Sequence, residues 1–429
     1  MRKILEQELG KIKVSEGGEK YLNSVSEKVI AVLKKRAKKK NIDATPFVGG
    51  SLAKNTLIRK KKQDVDIFLR FGRKYSEEEI SKLIKKIFFL FRVPGERIKV
   101  KRLHGSRDYY KILFKKSGIL VEVVPVVRIS KVEQARNLTD LSYFHVNYIK
   151  KKIGKDKKLA DEIKLAKSFA HGQGCYGAES YIQGFSGYAL ELLVTHYKTF
   201  NRFLREMVKV EDKLIIDQEK QYKTKEQIIK ELNPTKLKSP IILIDPTFKE
   251  RNTARALSKE RFKKFQKSAK RFLENPHSEF FEPKKINILK MRERAIDERG
   301  IFAVFEFSTK KQPGDIAGTK LLKFSKFFNK ELKKYFDVAK WEFDYPGLKS
   351  ARIYLVMKRK KEIIILGPEI HRELAVKAFK KKHRIWYIEE NRIKSARATD
   401  FSVKEFSKRF KKTHKKTIKQ MSIRKVRII

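Results

Sequence analysis

The sequence has one cysteine, Cys175, and no long uncharged run among its 429 residues. A single cysteine excludes an intramolecular disulfide framework and any zinc site that needs several thiolates. The uncharged stretches are shorter than the roughly 18 apolar residues of a membrane span. The N-terminus, MRKILEQELGKIKV, is too charged for a secretory signal. We therefore expect a soluble, cytoplasmic protein that does not insert into a membrane.

Acidic side chains are also scarce, with 50 Asp and Glu against 105 Lys and Arg, so that the formal net charge is +55. Such self-repulsion disfavours a compact fold unless a polyanion or counterions offset it, and nucleic acid is the polyanion that we expect. Basic runs at 34–40, 59–62, 358–361 and 408–416 are each also typical of a solvated helix face. With 41% hydrophobic residues the chain can bury cores, and its length suits roughly two to four domains.

The N-terminal part of the sequence is typical of an α+β unit. Apolar residues at helical spacing predict a helix over about 18–40, and TPFVGGS predicts a short strand entering a glycine-rich turn. DVDIFLRF (64–71) predicts a strand with one apolar face, and Ser76 with Glu79 predicts a helix that opens with a capping box. Three further strands are expected at 97–102, 109–114 and 119–127.

The remainder of the chain changes character twice. Helical patterns dominate from about 146 to 272, at 157–172, 186–209 and 256–274, and the strand-like SPIILIDP interrupts them. Strands are then predicted at 301–307, 351–358 and 362–369, with a helix rich in Phe and Lys at 320–336. This βαββ pattern predicts a ferredoxin-like or RNA-recognition-like domain. A basic, mainly helical stretch at about 371–420, with the strand-like IWYIEENRIKSARA in its middle, follows.

A glycine turn and an acidic pair carry the strongest chemical signal. Gly49 and Gly50 allow a tight turn, and a helix that opens at Ser51 would direct free N–H groups at a phosphate. Asp64 and Asp66 project from one face of a strand, about 6.6 Å apart at ~3.3 Å per residue. That spacing suits two Mg²⁺ ions about 3.5–4 Å apart, which would stabilise the oxygens of a nucleotidyl transfer. Taken separately, the turn and the pair are also typical of an ordinary turn and an exposed strand end.

Glu122 adds a third acid to this prediction. It is the only charge in ILVEVVPVV, which we expect to be a central strand with both faces largely covered. A lone buried carboxylate is costly unless it is paired or bound to a metal. The order of turn, acidic pair and strand acid therefore favours a metal site. Cys175, by contrast, has no partnering base motif, and we interpret it as a packing residue.

Five segments of the chain resemble the archaeal, class I CCA-adding enzymes, which are tRNA nucleotidyltransferases of the polymerase β-like superfamily. They are FVGGSLAKNT, DVDIFLRF, VEVVP, LAKSFAHGQGCYGAESYIQGFSGYALELL and LIDPTFKERNTARALS. The resemblance runs from residue 45 to about 262 and continues more weakly through ERGIFAVFEF and the GPE near 367. The glycine turn and DxD indicate only the superfamily. The segments GCYGAE, GFSGY and DPxxxxRN narrow the resemblance to this family.

The resemblance implies a multidomain α+β protein. Its parts would be a nucleotidyltransferase head with a mixed sheet at 1–145 and a helical central domain at 146–272 that contacts nucleotide and tRNA. An RNA-binding, ferredoxin-like body with a basic helical tail would follow at 273–429. The implied activity is template-independent addition and repair of the 3′-terminal CCA of tRNA from CTP and ATP, with Mg²⁺ as cofactor and release of pyrophosphate. The implied RNA contacts are the acceptor and TΨC arms of the tRNA. Whether the protein forms a homodimer is left open.

The resemblance also assigns residues. Asp64, Asp66 and Glu122 match the catalytic, metal-binding carboxylates, and Arg251 matches the arginine that reads the base edge of the incoming nucleotide. A further set matches positions that contact the nucleotide or continue its binding segment: Gly50, Ser51, Lys54, Asn55, Thr56, His145, Lys167 and Tyr176.

The sequence departs from the family pattern at several positions. Glu122 stands where Asp is usual, and Lys54 stands where the GSxAR segment has arginine. Leu57 replaces an aromatic residue, and Gln183 occupies a position that often holds arginine. None of these changes removes a type of metal ligand, so they bear on the efficiency of the reaction and not on its class.

Two alternatives stay open at this point. A poly(A)-type polymerase of the same superfamily would extend RNA with ATP alone and would not stop after three additions. A non-catalytic RNA-binding protein would account for the charge but not for the three acids.

Overall fold

The computed structural model describes residues 1–60, 63–398 and 402–429, so Lys61 and Lys62 of the basic run at 59–62 lie outside the described residues. The described chain divides into two compact units, Met1–Lys284 and Lys285–Ile429. The predicted three-domain boundaries stay a prediction, as does the cytoplasmic location. Within the described residues, no helix combines the length and the apolar character needed to cross a bilayer.

The first unit begins with the predicted α+β pattern and continues with helices. Its helices and strands are, in chain order, α1 (Arg2–Ile12), α2 (Glu16–Lys39), β1 (Ala44–Val48), α3 (Gly50–Ala53), β2 (Asp64–Phe71), α4 (Glu77–Phe88), β3 (Ile98–Leu103), β4 (Tyr109–Phe114), β5 (Leu120–Val127), α5 (Ser142–Lys155), α6 (Leu159–Gly172), α7 (Gly187–Tyr197), α8 (Phe200–Val208), β6 (Leu214–Ile216), α9 (Lys225–Glu231), β7 (Ile241–Asp245), β8 (Phe248–Asn252) and α10 (Lys259–Glu274).

The first sheet of this unit is mixed, as predicted. Its strand order is β1-β2-β5-β4-β3, in which β2 and β5 are parallel and the other pairs are antiparallel. Val65, Ile67, Leu69 and Phe71 of β2 are fully buried against α2 and α4, so the residues between them occupy the opposite face. The predicted capping box opens α4, because Ser76 and Glu79 exchange side-chain and backbone hydrogen bonds.

A second hydrophobic core lies among α6, α7, α8 and α10. The helical segment predicted at 186–209 is divided into α7 and α8. Lys198 has a φ of 72°, which ends α7, and the Thr199 side chain accepts a hydrogen bond from Arg202 N to start α8. The predicted strand in SPIILIDP is β7, flanked by β6 and β8, which were not predicted.

The second unit is an α+β domain. Its helices and strands are, in chain order, α11 (Ile288–Asp297), β9 (Ile301–Thr309), α12 (Asp315–Leu332), β10 (Phe336–Asp344), β11 (Ser350–Arg359), β12 (Glu362–Glu369), α13 (Glu373–Lys382), β13 (Tyr387–Glu389), β14 (Arg392–Ala398), α14 (Val403–Thr413), α15 (Lys415–Gln420) and β15 (Ile423–Ile428).

The ferredoxin-like arrangement is present, but one strand predicted for it was wrong. The antiparallel order β10-β11-β9-β15, with α12 after β9 and α14 before β15, is the βαββαβ topology. The predicted strand at 362–369 is β12, which instead pairs with β14 in a separate sheet inserted before α14. In the main sheet, β10 pairs with β11 and β15 pairs with β9. Neither of these two strands was predicted. The predicted fold class is confirmed.

The core of the second unit gives a stability prediction. Leu321 of α12 is fully buried among Phe side chains of this core, whereas Leu374 of α13 is 85% exposed. Replacing a buried leucine by alanine removes apolar contacts and leaves a cavity, so Leu321→Ala should lower the free energy of unfolding of this unit by about 2–5 kcal/mol. Denaturant unfolding measures this change. The matched control Leu374→Ala should stay within about 0.5 kcal/mol of the parent, and equal effects of both changes would contradict the described core.

Candidate active site

The three predicted acids lie on one face of neighbouring strands. The parallel pairing of β2 and β5 places Asp66 directly beside Glu122, and Asp64 two residues earlier beside Leu120. Val121 and Val123 of β5 are fully buried, so Glu122 projects from the opposite face, as the acids of β2 do. The tertiary structure thus brings together acids that are far apart in the sequence.

The glycine turn lies directly against these acids. The Gly49 N–H donates a hydrogen bond of 2.8 Å to the Asp66 carbonyl oxygen. Gly50 has a φ of 59°, and a β-carbon at this position would lie 1.9 Å from Asp66 Oδ2. A β-carbon at Gly49 would lie 2.2 Å from the Phe68 ring. Only glycine allows this approach. The short helix α3 begins at Gly50, one residue before the predicted start at Ser51.

The environment of Glu122 differs from the prediction. Its side chain is 24% exposed and forms an ion pair with Lys111 of β4, so it is not the lone buried carboxylate that the apolar run suggested. The prediction of a central strand was correct, but one face of that strand is only partly covered because it carries the site. Asp64 is more exposed and lies 3.6 Å from Lys60.

The crowding of acids changes the ionisation of Asp66. Removal from water and the neighbouring carboxylates of Glu122 and Asp64 raise the pKa of Asp66 to about 6. A divalent cation would relieve this repulsion, and carboxylate oxygens are the ligands that Mg²⁺ prefers. In residues 1–60, 63–398 and 402–429, however, no group of three or more His, Cys, Asp or Glu side chains already converges around one point. Glu122 is instead paired with Lys111.

A second group of site residues surrounds a buried carboxylate, Glu191 of α7. It accepts hydrogen bonds from Lys54, Thr56 and Lys167. We call these four residues the Glu191 cluster. Asn55 has a φ of 55° and its side-chain oxygen lies 3.4 Å from Lys164 Nζ.

A third group surrounds Asp245, at the end of β7. Asp245 Oδ2 lies 3.0 Å from both His145 Nε2 and Arg251 NH1, and Tyr188 donates its hydroxyl to Oδ1 at 3.2 Å. The Tyr188 ring stacks on His145 at 4.2 Å between centroids. Burial acts to raise the pKa of Asp245, but the hydrogen bond and charge of His145 and the charge of Arg251 hold it at about 2. Burial lowers the pKa of His145, which favours the neutral imidazole.

Tyr176 lies beside the Glu191 cluster. A β-carbon at Gly187 would lie 2.9 Å from the Tyr176 hydroxyl and 3.9 Å from Lys167 Cε, so these three residues adjoin one another. Burial, followed by the charges of Glu191 and Asp66, raises the pKa of Tyr176 and keeps the phenol protonated. The neighbouring Cys175 is fully buried, and burial raises the pKa of its thiol to about 11, as expected for a packing residue.

Comparisons with known proteins bear on this arrangement. Residues 161–282 match the family model for the second domain of tRNA nucleotidyltransferases. The CCA-adding enzyme of Nanoarchaeum equitans is 41% identical over 216 residues, which is 50% of this chain and 52% of that protein. The CCA-adding enzyme of Thermococcus gammatolerans is 26% identical over 397 residues, which is 90% of this chain and 85% of that protein. The chain is thus similar to archaeal CCA-adding enzymes.

The match spans only about half the length of the N. equitans relative and 59% of the CCA-adding enzyme of Methanosarcina acetivorans, which is 31% identical. Solved structures extend the likeness of fold. A cytoplasmic RNA terminal U-transferase superposes with a TM-score of 0.50 and a poly(U) polymerase with 0.51, each at 14% identity over 66% of this chain and 98% of theirs. These likenesses show the nucleotidyltransferase fold, while the roles of individual residues stay predictions.

Two buried carboxylates that accept hydrogen bonds from other site residues, Glu191 and Asp245, were not predicted. Glu191 is the only charge in GYALELLVT, which is the same signal as for Glu122, yet Glu191 is the acid that is fully buried. Asp245 follows the apolar run IILI and belongs to the DPxxxxRN segment, which contributed only to the family resemblance. The lone acid in an apolar run thus marks a fully buried carboxylate in the helix and a partly exposed one in the strand.

The raised pKa of Asp66 predicts a pH-dependent stability. Because the folded-state pKa of about 6 exceeds the ordinary value of 3.8, the native state holds the proton more tightly, and stability falls as pH rises between these values. Asp66→Asn removes this penalty. It should raise the melting temperature at pH 7, with the gain shrinking towards pH 4, in calorimetry without divalent metal. The exposed Asp212→Asn is the control and should show no such trend; a gain independent of pH would contradict the assignment.

Proposed function

We propose that the chain adds and repairs the 3′-terminal CCA of tRNA from CTP and ATP, without a nucleic-acid template and with release of pyrophosphate. The observation that carries this proposal is the shared face on which Asp66 and Glu122 stand side by side with the Gly49-Gly50 backbone pressed against Asp66. Similarity to CCA-adding enzymes supports it. The alternative of a non-catalytic RNA-binding protein leaves this crowding of acids without a purpose.

Asp64, Asp66 and Glu122 would hold the divalent cation, which we propose to be Mg²⁺. When bound, it supplies positive charge next to the attacking and leaving oxygens of a nucleotidyl transfer. The glycine turn contributes backbone N–H groups, because Gly50 and Ser51 open α3 with their amides unpaired within that helix. These donors suit the phosphate oxygens of CTP or ATP.

Arg251 supports a base-binding role for the Asp245 group. It lies on the wall of a cleft of about 260 Å³ that also includes Ser186, Phe248 and Asn252. An arginine fork can donate to the acceptor edges of both cytosine and adenine. Because Asp245 Oδ2 lies 3.0 Å from both Arg251 NH1 and His145 Nε2, these two side chains meet a nucleotide in a fixed orientation.

The second unit is proposed to bind the tRNA. Its ferredoxin-like sheet and its basic C-terminal helices offer exposed lysines, and A-form RNA is recognised mainly through shape and phosphate contacts. We propose that these lysines contact the acceptor and TΨC arms. The net charge of +55 for the whole chain fits a large polyanionic partner.

Nucleotide incorporation tests the function directly. A tRNA transcript without its CCA end should gain two C residues from CTP, then one A from ATP, and then stop, provided that Mg²⁺ is present. Gel electrophoresis at single-nucleotide resolution measures the additions. Asp66→Asn should abolish both C and A addition while leaving tRNA affinity nearly unchanged, because the carboxylate serves the chemistry and not RNA binding.

The rival functions give different products in the same assay. Extension with ATP alone, without a stop after three additions, would identify a poly(A)-type polymerase. Binding of tRNA without incorporation from either nucleotide would identify a non-catalytic RNA-binding protein. Loss of tRNA binding in Asp66→Asn would make this aspartate a structural residue.

The basic tail can be tested through the salt dependence of tRNA affinity. Phe406 and Phe410 of α14 are buried, so the lysines of α14 and α15 face outward. Replacing five exposed lysines by glutamine should weaken binding and reduce the slope of log K against log salt by about 0.9 for each duplex phosphate that is no longer neutralised. The replaced residues are Lys408, Lys411, Lys412, Lys415 and Lys416.

A matched charge change on α10 serves as the control for this experiment. It removes five lysines that are equally exposed, namely Lys259, Lys263, Lys264, Lys267 and Lys270. A smaller slope change in the control would assign the phosphate contacts to the tail. Equal changes in both variants would attribute the effect to the overall charge, and an unchanged slope in the tail variant would make the tail a solvated surface.

A further inference from the structure

The turn that follows α4 exposes two large apolar side chains. Phe89 and Leu90 are each 69% exposed and come directly after Phe88, the last residue of α4. The Phe91 N–H donates a hydrogen bond of 3.2 Å to the Phe88 carbonyl oxygen. Phe89 has φ −62° and ψ 121°, and Leu90 has a φ of 49°. This combination is typical of a type II turn, whose third residue is usually glycine because its φ is positive.

Arg36 of α2 fixes this turn from the neighbouring helix. Its guanidinium group donates hydrogen bonds of 2.7, 2.6 and 2.7 Å to the carbonyl oxygens of Ile87, Phe89 and Leu90. It also lies 5.3 Å from the centroid of the buried Phe91 ring. Basic side chains commonly satisfy the last carbonyl groups of a helix in this way. The turn is therefore held in one conformation, and an exposed leucine occupies a position that disfavours L-residues.

The turn forms one wall of a groove between α2 and the segment after α4, which we call the α2–α4 groove. The groove has a volume of about 420 Å³, and its apolar surface comes from Val32, Phe89, Leu90 and Pro94. A concave apolar surface suits an inserted side chain better than it suits the flat surface of a membrane.

Basic side chains surround this apolar surface. They are Lys35, Arg36, Lys39, Lys40 and Arg92. Within residues 1–60, 63–398 and 402–429, no acidic side chain lines the groove. The hydrogen bonds of Arg36 go to neutral carbonyl groups, so they leave its charge in place. A partner that is complementary to this groove therefore carries negative charge.

The α2–α4 groove lies on the other side of the first sheet from the acids. The helices α2 and α4 cover the face that carries Val65 and Ile67, whereas Asp64 and Asp66 project from the opposite face. The sheet and its helices separate the groove from a substrate bound at the acids. The groove is thus a surface that the proposed function does not use.

The combination of an apolar floor with a basic rim identifies one class of partner. RNA phosphates would pair with the lysines but would place Leu90 and Val32 against charged groups. A second copy of this chain, with its net charge of +55, would add repulsion. A peptide with apolar side chains on one face and carboxylates on the other complements both parts. We propose that the α2–α4 groove binds an acidic, amphipathic segment of a partner protein.

Fluorescence anisotropy with a synthetic peptide tests the proposal on the full-length chain. The probe is a fluorescein-labelled, glutamate-rich peptide with leucines at positions i, i+3, i+4 and i+7, and its control has serines in place of the leucines. The leucine peptide should bind on the order of tenfold more tightly, because leucines that enter the groove are removed from water. Equal affinities would show that charge alone attracts the peptide and would overturn the proposal.

Leu90→Gly separates docking from stability. Glycine suits the positive φ of this position, so the melting temperature should stay the same or rise. The affinity for the leucine peptide should nevertheless fall on the order of tenfold, because an anchoring side chain is lost. Phe89→Ser should reduce the affinity similarly. The matched control Ile229→Ser changes an exposed apolar residue of α9 and should have no effect. Unchanged affinity in both groove variants, or an equal loss in the control, would overturn the proposal.

The basic rim provides the second arm of the test. Replacing three of its lysines by glutamine should weaken binding of the leucine peptide and reduce its dependence on salt. Three equally exposed lysines of α10 serve as the control, whose replacement should have a smaller effect. The replaced residues are Lys35, Lys39 and Lys40 in the rim and Lys259, Lys263 and Lys267 in the control. Equal effects would attribute binding to the overall charge of the chain and would contradict a specific groove.

Titration with a single-stranded RNA oligonucleotide tests the alternative occupant. The RNA should bind the parent protein and Leu90→Gly with equal affinity, and CCA addition should be the same in both. A loss of RNA affinity as large as the loss of peptide affinity would assign the groove to RNA and would overturn the proposal. If the parent protein does not add CCA but the peptide results are as expected, the proposed function fails alone.

Discussion

Pairing of buried carboxylates with cations is the interaction on which the site depends. Glu191 and Asp245 are both fully buried, and each is surrounded by the basic side chains that the family resemblance relates to nucleotide binding. A buried carboxylate without partners is costly, so each of these acids constrains the positions of its donors. The basic residues are consequently held in place before a ligand arrives, which lowers the cost of ordering them on binding.

The acids of the sheet face are arranged in the opposite manner. Among the described residues, the strongest charges acting on Asp66 are those of its acidic neighbours, and its pKa is raised as a result. The same first unit therefore contains acids that are compensated by lysine, histidine and arginine, and an acid that is not. Crowded acids on a shared face indicate a place for a cation, while the excess positive charge near Glu191 indicates a place for an anion. A metal-bound nucleoside triphosphate combines both charges.

In the second unit, an apolar core is combined with a basic surface. Its core is rich in phenylalanine, and α12 and α14 cover one side of the β10-β11-β9-β15 sheet with Phe324, Phe328, Phe406 and Phe410. This core allows the lysines of the same helices to remain on the surface. The stability of the fold is thereby separated from its charge, so that the surface can be strongly basic without weakening the packing.

Local patterns in the sequence were sufficient to predict several strands and helix boundaries of this protein. Alternating apolar residues predicted β2, β4 and β5 within one residue, and the Ser76–Glu79 pair predicted the start of α4, because these features depend on neighbours in the chain. The strands β10 and β15 were not predicted because their residues are largely exposed or charged and their strand character comes from pairing with β11 and β9. Pairing between distant segments is not encoded in a local period.

The same distinction holds for the site. The sequence alone determined which residues are acidic, where glycine permits a close turn, and which family the motifs resemble. Only the tertiary structure decided that Glu122 pairs with Lys111 while Glu191 is the acid that is fully buried, because burial and ion pairing depend on residues that meet across the fold.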